Sequence, residues 1–182
     1  MPHSREPGEP FKRLFFALAC PPEQRQAIAR WRKELPIGTG RRVPADNFHL
    51  TLLFLGEVAV PLLPAILAAA GGVKPPGEPL RVPLDRLDAW RRAGVLLLVP
   101  EQPPRALLRL AYDLEQAVQP LGLLPEYSDY RPHLTLARDF RTEVPEASSA
   151  PDFVLKATRF TLFESRKGHY LPLQSWPLSP SV

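Results

Sequence analysis

Apolar and polar positions alternate with the period of a strand at two places that share the same four residues. His49-Leu50-Thr51-Leu52 recurs in the second half of the chain as His133-Leu134-Thr135-Leu136. Because residues i and i+2 of a strand point to the same face, each segment predicts a strand with histidine and threonine on one face and two leucines on the other. Each strand therefore has a polar face suited to chemistry and an apolar face suited to a core.

The apolar pattern of the first half predicts a strand, a helix and then the first repeat. Leu14–Leu18 is an apolar run with the length of a strand buried on both faces. Pro21-Pro22-Glu23 is typical of a helix start, and apolar residues at helical spacing follow it. A Gly/Arg loop over Gly38–Arg42 leads to the first His-Leu-Thr-Leu strand, which we expect to end near Gly56.

The segments after the first repeat predict one more helix and one more strand. A helix is expected over residues 61–70, because Gly71-Gly72 would end it. A Pro/Gly-rich connector over 74–79 follows, and loosely alternating residues over 80–90 predict a strand.

The second half repeats the same order of elements. Val95–Val99 predicts an apolar strand, and Pro103-Pro104 open a helix with an apolar stripe at Leu107, Leu110, Ala111, Leu114 and Val118. A loop including residues 126–129 precedes the second repeat, and the tail adds strand candidates at Phe153–Glu164 and His169–Leu173. The repeated order indicates an internal duplication, with two related lobes facing each other across a cleft.

Composition is that of an ordinary globular protein with many rigid connections. The 182 residues are 45% hydrophobic and 23% charged, and the 24 prolines are dispersed between apolar runs. The single cysteine, Cys20, excludes an internal disulfide and a cysteine-based zinc site. Residues 1–10 are expected to form a flexible tail without a signal sequence, and no apolar run has the length of a membrane span. We therefore expect a cytoplasmic protein.

Two histidines on opposite walls of a cleft suit concerted acid–base catalysis. Imidazole titrates near pH 6.5, so one ring can accept a proton while the other donates one. Thr51 and Thr135 could donate hydrogen bonds to oxygens of a substrate between His49 and His133. Such an arrangement fits displacement at phosphorus, in which positioning and charge stabilisation dominate and no metal is needed.

Two other interpretations of the histidines remain open at this point. A single His-Leu-Thr-Leu segment is most often a strand facing solvent, although two copies in matching places are harder to explain in this way. The histidines could also bind zinc, but the sequence shows no third ligand at a suitable spacing. Asp46 and Asp139 are the nearest carboxylates, and turn or surface roles explain them equally well.

Further candidates for substrate binding flank the two repeats. Arg138 could reach a phosphate at the end of the second strand, because guanidinium matches phosphate oxygens geometrically. Arg131 lies at the other end of that strand. Phe48 and Tyr130 flank the two strands and could stack on a base. A net charge of +4 alone is compatible with an ordinary solvated surface.

Three segments together resemble the two-histidine (2H) phosphoesterases. They are Arg13-Leu14-Phe15-Phe16-Ala17, the stretch from Asn47 to Gly56 and the stretch from Arg131 to Asp139. More narrowly, the chain resembles the bacterial LigT-type RNA 2′,3′-cyclic phosphodiesterases, once called 2′-5′ RNA ligases. The likeness extends from about residue 12 to residue 177.

The resemblance implies an α+β fold with two lobes, in which two antiparallel sheets form a central groove and the helices lie outside. It implies one such domain over residues 1–182, with no cofactor and no metal. It further implies hydrolysis of a 2′,3′-cyclic phosphate at the end of RNA or of a nucleotide to a 2′-phosphate.

Carried over by position, His49 and His133 are the catalytic pair. His49 is then the acid and His133 the base, although the near-symmetry of the lobes leaves this division open. Thr51, Thr135 and Arg138 hold the phosphate. Two alternatives remain: reversible 2′-5′ ligation of RNA ends, and a non-catalytic module that binds nucleotides or RNA. We expect a monomer.

Overall fold

Strands and helices are described for residues 10–123 and 129–180 of the computed structural model. The strands in these ranges are β1 (Phe11–Ala19), β2 (Arg41–Arg42), β3 (His49–Ala59), β4 (Leu80–Leu84), β5 (Arg86–Trp90), β6 (Val95–Val99), β7 (Leu134–Arg138), β8 (Phe153–Ala157), β9 (Arg159–Arg166) and β10 (His169–Pro177). The α-helices are α1 (Pro22–Lys33), α2 (Leu63–Gly71) and α3 (Arg105–Val118). The predicted tail, apart from Pro10, and most of the loop before the second repeat lie outside the described residues.

Two antiparallel sheets carry the two repeats. Among the described residues, one sheet has the strand order β10-β9-β1-β3 and the other has the order β2-β7-β6-β5. In the first sheet β1 pairs with β3, and in the second β6 pairs with β7. The predicted α+β fold with two duplicated lobes is therefore confirmed, since each half contributes an apolar strand, a helix and a strand bearing the repeat.

Each half of the chain also gives two strands to the sheet of the other half, namely β2 and β5 from the first half and β9 and β10 from the second. β5 comes from the first half and pairs with β6, whereas β9 comes from the second half and pairs with β1. The strands that precede them, β4 and β8, pair with each other. This exchange interlocks the two lobes along the chain.

Two segments that were each predicted as one strand are two strands, because of this exchange. The segment over 80–90 is two strands separated by Asp85, and the segment Phe153–Glu164 is two strands separated by Thr158. In both places the chain leaves the β4–β8 pair and enters a four-stranded sheet. Because both flanking strands carry apolar residues, the hydrophobic pattern does not reveal the change of sheet.

The core lies on one face of each sheet. Alternate residues of β1 and β6 belong to one buried apolar cluster, namely Leu14, Phe16, Leu18, Leu96 and Leu98. All five residues of the apolar stripe predicted for α3 are buried, and all but Ala111 belong to the same cluster. Ala17 pairs with Thr51 and Leu97 pairs with Thr135, so the opposite face of each sheet carries the threonines of the repeats.

β3 extends beyond the predicted end at Gly56. This glycine has φ +71°, in the left-handed region that a glycine adopts without a steric penalty. The pairing with β1 shifts there and leaves Leu55 without a partner residue, after which the ladder continues to Ala59. The glycine therefore marks a bulge inside the strand, not its end.

Candidate active site

The two repeats begin at corresponding places in the two sheets. His49 is the first residue of β3, and His133 directly precedes β7, whose ladder begins where Leu134 pairs with Leu98. His133 was predicted to lie within the strand, and it lies one residue before the strand begins. A hydrogen bond connects the two segments, since the Tyr130 hydroxyl donates to the Thr51 carbonyl at 2.7 Å.

The imidazole of His49 is fixed at both nitrogens. Nδ1 lies 2.8 Å from the Asn47 carbonyl, which can only accept, so Nδ1 carries a proton. Nε2 lies 2.9 Å from Oγ1 of Thr51. In the neutral ring the threonine hydroxyl donates to Nε2, and in the charged ring Nε2 donates to the hydroxyl. The ring also contacts Phe15 and Tyr170, at centroid distances of 5.0 and 5.1 Å.

The imidazole of His133 is held in the same way through its Nδ1. That nitrogen donates to the Arg131 carbonyl at 2.8 Å, so the neutral ring keeps an unprotonated Nε2. The ring packs edge-on against Trp90 at 4.6 Å, and the Arg131 guanidinium lies 5.9 Å from the same indole. Both histidines therefore use a backbone carbonyl two residues earlier to fix the same tautomer.

A bulge at the fourth residue of each repeat changes the direction of the residues that follow. Leu53 pairs with Phe16 and Thr51 with Ala17, which leaves Leu52 as the extra residue. In the same way Ala137 pairs with Leu96 and Thr135 with Leu97, which leaves Leu136 extra. At each bulge two consecutive side chains enter the core, either Leu52 and Leu53 or Leu136 and Ala137.

The second bulge brings Arg138 to the face of the sheet that carries Thr135. Arg138 pairs with Val95, which lies two residues from Leu97, the partner of Thr135. Regular alternation would have placed Arg138 on the leucine face. The guanidinium lowers the pKa of both histidines, so it is within electrostatic reach of each. Phe54 has the corresponding position in β3, where its ring is 42% exposed.

Burial makes both histidines weaker bases than a free imidazole. The pKa of His49 is lowered to about 4, chiefly by desolvation and in addition by the charges of His133 and Arg138, against the opposing hydrogen bond to Asn47. Desolvation likewise lowers the pKa of His133, with Arg138 acting in the same direction. In the free protein both rings are therefore neutral at pH 7.

The flanking candidates have different surroundings. Phe48 is 2% exposed and packs in the core with the Arg32 guanidinium 4.8 Å from its ring, so no face is available to a base. We therefore remove Phe48 from the candidate site, since a core ring cannot stack on a ligand. Tyr130 is half-buried, and desolvation raises the pKa of its hydroxyl. Arg131 is exposed and supplies the carbonyl that holds His133.

Sequence reasoning missed the aromatic residues around the histidines. Phe15 and Tyr170 contact His49, and Trp90 contacts His133. Trp90 is the last residue of β5, which belongs to the first half of the chain and pairs with β6 of the second half. Only this topology brings it to His133. Phe15 could have been found, because its position between core residues Leu14 and Phe16 places it on the face of Ala17.

Arg41, which we expected in a loop, lies in β2 beside the site. It pairs with Arg138 across the β2–β7 ladder and forms an ion pair with Asp139. Among the described residues no group of three or more His, Cys, Asp or Glu side chains is arranged to hold a metal ion. None of the helices in the described ranges has the length and apolar character needed to cross a membrane.

The sequence of the chain is similar to a known family profile and to a curated protein. A family profile described as LigT like Phosphoesterase matches residues 18–97 and again residues 97–173, one match for each half. An Escherichia coli protein named RNA 2′,3′-cyclic phosphodiesterase is 38% identical over 173 residues, which cover 92% of this chain and 97% of that protein.

Solved structures show the same similarity in three dimensions. The crystal structure of E. coli LigT complexed with 3′-AMP has a TM-score of 0.80 at 36% identity, covering 93% of this chain and 99% of that chain. The structure of E. coli LigT complexed with phosphate has a TM-score of 0.81 at 37% identity, covering 94% of this chain and 100% of the other.

Proposed function

Since this chain belongs to the LigT-like phosphoesterase family, we propose that it hydrolyses the 2′,3′-cyclic phosphate at the end of RNA to a 2′-phosphate. The observation that carries the proposal is that both histidine rings are held in the same tautomer. Each ring donates Nδ1–H to a backbone carbonyl, at 2.8 Å in both cases, which leaves Nε2 for proton transfer. A reaction that needs one proton acceptor and one proton donor can use such a pair.

In the proposed reaction His133 is the base and His49 the acid. Neutral His133 takes a proton from water through Nε2 as the water oxygen bonds to phosphorus. The bond between phosphorus and the 3′ oxygen breaks, and protonated His49 gives its Nε2 proton to that oxygen. The product carries a 2′-phosphate and a 3′-hydroxyl, and the two rings exchange protons with solvent before the next turnover.

The remaining polar groups are proposed to hold the phosphate. Thr51 and Thr135 donate their hydroxyls to non-bridging oxygens, and Arg138 balances the negative charge that develops on them. When His49 is charged, Nε2 no longer accepts from Oγ1 of Thr51, so the Nε2–H can turn to the 3′ oxygen while the threonine hydroxyl donates to a phosphate oxygen. Thr51 is thus suited to connect the acid to the phosphate.

The low pKa of His49 requires an explanation in this scheme. A ring with a pKa of about 4 is mostly neutral at pH 7, yet the acid must carry a proton. The substrate is an anion, and its bound phosphate raises the pKa of a neighbouring imidazole by direct attraction. We therefore assign the charging of His49 to substrate binding.

The names of the related proteins support the same substrate class. The E. coli relative is named for RNA 2′,3′-cyclic phosphate, and E. coli LigT has been crystallised with 3′-AMP and with phosphate. For this chain we further propose a single bilobal domain over residues 1–182 that acts as a monomer in the cytoplasm. One core cluster draws on both halves, and both histidines lie in one chain.

The test uses an RNA oligonucleotide that ends in a 2′,3′-cyclic phosphate. We expect the full-length protein to convert it to the 2′-phosphate, with the same rate in the presence and absence of a chelator. His49→Ala and His133→Ala should each lose most of this activity. Loss of turnover on chelation would contradict a metal-independent reaction, and binding without turnover would favour a non-catalytic module.

A further inference from the structure

Arg32 of α1 is a buried cation that connects the two halves of the chain. Arg32 is only 6% exposed, although arginine is seldom buried without an anionic partner. No ion pair is found for it within residues 10–123 and 129–180, and its Nε has no hydrogen-bond partner there. Burial lowers the pKa of the guanidinium, and the charge of Arg42 lowers it further.

Backbone carbonyls take the place of the missing anion. Nη1 of Arg32 donates to the Val43 carbonyl at 2.5 Å and to the Leu136 carbonyl at 2.8 Å. The Leu136 carbonyl also accepts the backbone N–H of Val43 at 3.0 Å. Helix α1 and Val43 belong to the first half and Leu136 to the second, so one guanidinium group bridges them.

Leu136 is the extra residue of the bulge in β7. Because of this bulge Arg138, two residues later, lies on the face of Thr135. A carbonyl that accepts two hydrogen bonds, one of them from a cation, is held firmly in that arrangement. The Arg32 guanidinium also lies 4.8 Å from the ring of Phe48, the neighbour of His49. The same cation therefore contacts the bulge after one histidine and the residue before the other.

We propose that Arg32 is a positioning residue for phosphate binding, which acts by holding the Leu136 bulge so that Arg138 faces the groove. Arg32 itself touches no substrate in this scheme. The inference rests on the proposed function only in taking the phosphate to bind between the two histidines. A buried charge that served stability alone could be replaced by an apolar residue at no loss of phosphate affinity.

The test measures the dissociation constant of inorganic phosphate by titration calorimetry, and KM and kcat for 2′,3′-cyclic AMP, in the full-length protein. Arg32→Met is expected to raise both the dissociation constant and KM by about tenfold, with a smaller change in kcat. Arg32→Lys, which keeps the charge, should recover part of the loss. Arg30→Met changes an exposed residue of the same helix and is the matched control.

A double-mutant cycle with Arg138→Ala separates positioning from general stability. If Arg32 acts through Arg138, Arg32→Met should have little further effect on phosphate affinity in the Arg138→Ala background. Equal losses in both backgrounds, or a lower melting temperature with unchanged affinity, would overturn the proposal. If Arg32→Met does not fold, Arg32→Lys decides, with a threefold weaker affinity expected and an unchanged affinity contradicting us. Phosphate binding without turnover of cyclic nucleotide would reject the proposed function but not this inference.

Discussion

Arg138 and Phe54 have equivalent positions in the two halves of the molecule. Each is the fifth residue after its histidine, each follows a bulge at the fourth residue of the repeat, and each lies on the threonine face of its sheet as a result. A cation therefore lies beside the repeat of His133, and an exposed aromatic ring lies beside the repeat of His49. Two similar strands thus give the histidines unlike surroundings.

Removal of the Arg138 guanidinium should weaken phosphate binding. A hydrogen bond to a charged group contributes roughly 1.5–3 kcal/mol, so Arg138→Ala should weaken the affinity for inorganic phosphate by about 10- to 150-fold. Titration calorimetry measures this change. Arg105→Ala removes an exposed arginine at the start of α3 and should have no such effect. A similar affinity in wild type and Arg138→Ala would show that Arg138 is a surface residue only.

The pH dependence of the rate should separate the free protein from the complex. Both histidines have a pKa below 6.5 in the free protein, and the reaction needs one proton on the pair. kcat/KM for 2′,3′-cyclic AMP reports the free protein and should therefore fall as the pH rises above 6.5. kcat reports the complex, in which the anionic substrate raises the pKa of His49, and should fall only at higher pH.

Steady-state rates between pH 4 and pH 9 measure both profiles. A value of kcat/KM that rises up to pH 8 would contradict the lowered pKa values. Coincident profiles of kcat and kcat/KM would contradict the charging of His49 by substrate.

Acid should destabilise the fold through His49. Its pKa is about 4 in the folded protein against 6.5 ordinarily, so between these pH values the unfolded chain binds a proton that the folded protein does not. The free energy of unfolding should therefore be unaffected by His49 above pH 6.5 and decrease as the pH falls toward 4, by on the order of 3 kcal/mol. Urea unfolding at several pH values measures the decrease, and His49→Gln should show a correspondingly shallower dependence.

The hydroxyl of Tyr130 should contribute to stability through the bond to Thr51. Tyr130→Phe removes the donor to the Thr51 carbonyl and should lower the free energy of unfolding by about 1 kcal/mol. It should also raise KM, because this bond connects the segments that carry the two histidines. Tyr112→Phe, at a tyrosine 55% exposed on α3, is the control for loss of a hydroxyl. Equal stability of the two variants would mean that the bond contributes nothing.

The sequence was sufficient for the features that depend on local pattern. Apolar runs of strand length identified β1 and β6, alternation identified the polar face of His49 and Thr51, and the helical stripe of α3 was predicted residue by residue. These features follow from the periods of strand and helix, which the chain shows directly.

The features that depend on tertiary pairing could not be predicted in this way. A bulge is visible only against the partner strand, so alternation alone does not explain how Arg138, predicted to bind phosphate, comes to the face of Thr135. The contact of Trp90 with His133 follows from the pairing of β5 with β6, and this strand exchange has no local signal. The sequence pattern did not single out Arg32, whose guanidinium is hydrogen-bonded to a carbonyl of the other half.

A change of leaving group tests the unlike roles of His49 and His133 most directly. When sulfur replaces the 3′ oxygen of the cyclic phosphate, the leaving thiolate needs no proton from an acid. The rate of hydrolysis of this substrate should be close to wild type in His49→Ala and strongly reduced in His133→Ala. Recovery in His133→Ala instead would reverse the assignment, and recovery in neither variant would contradict the division into acid and base.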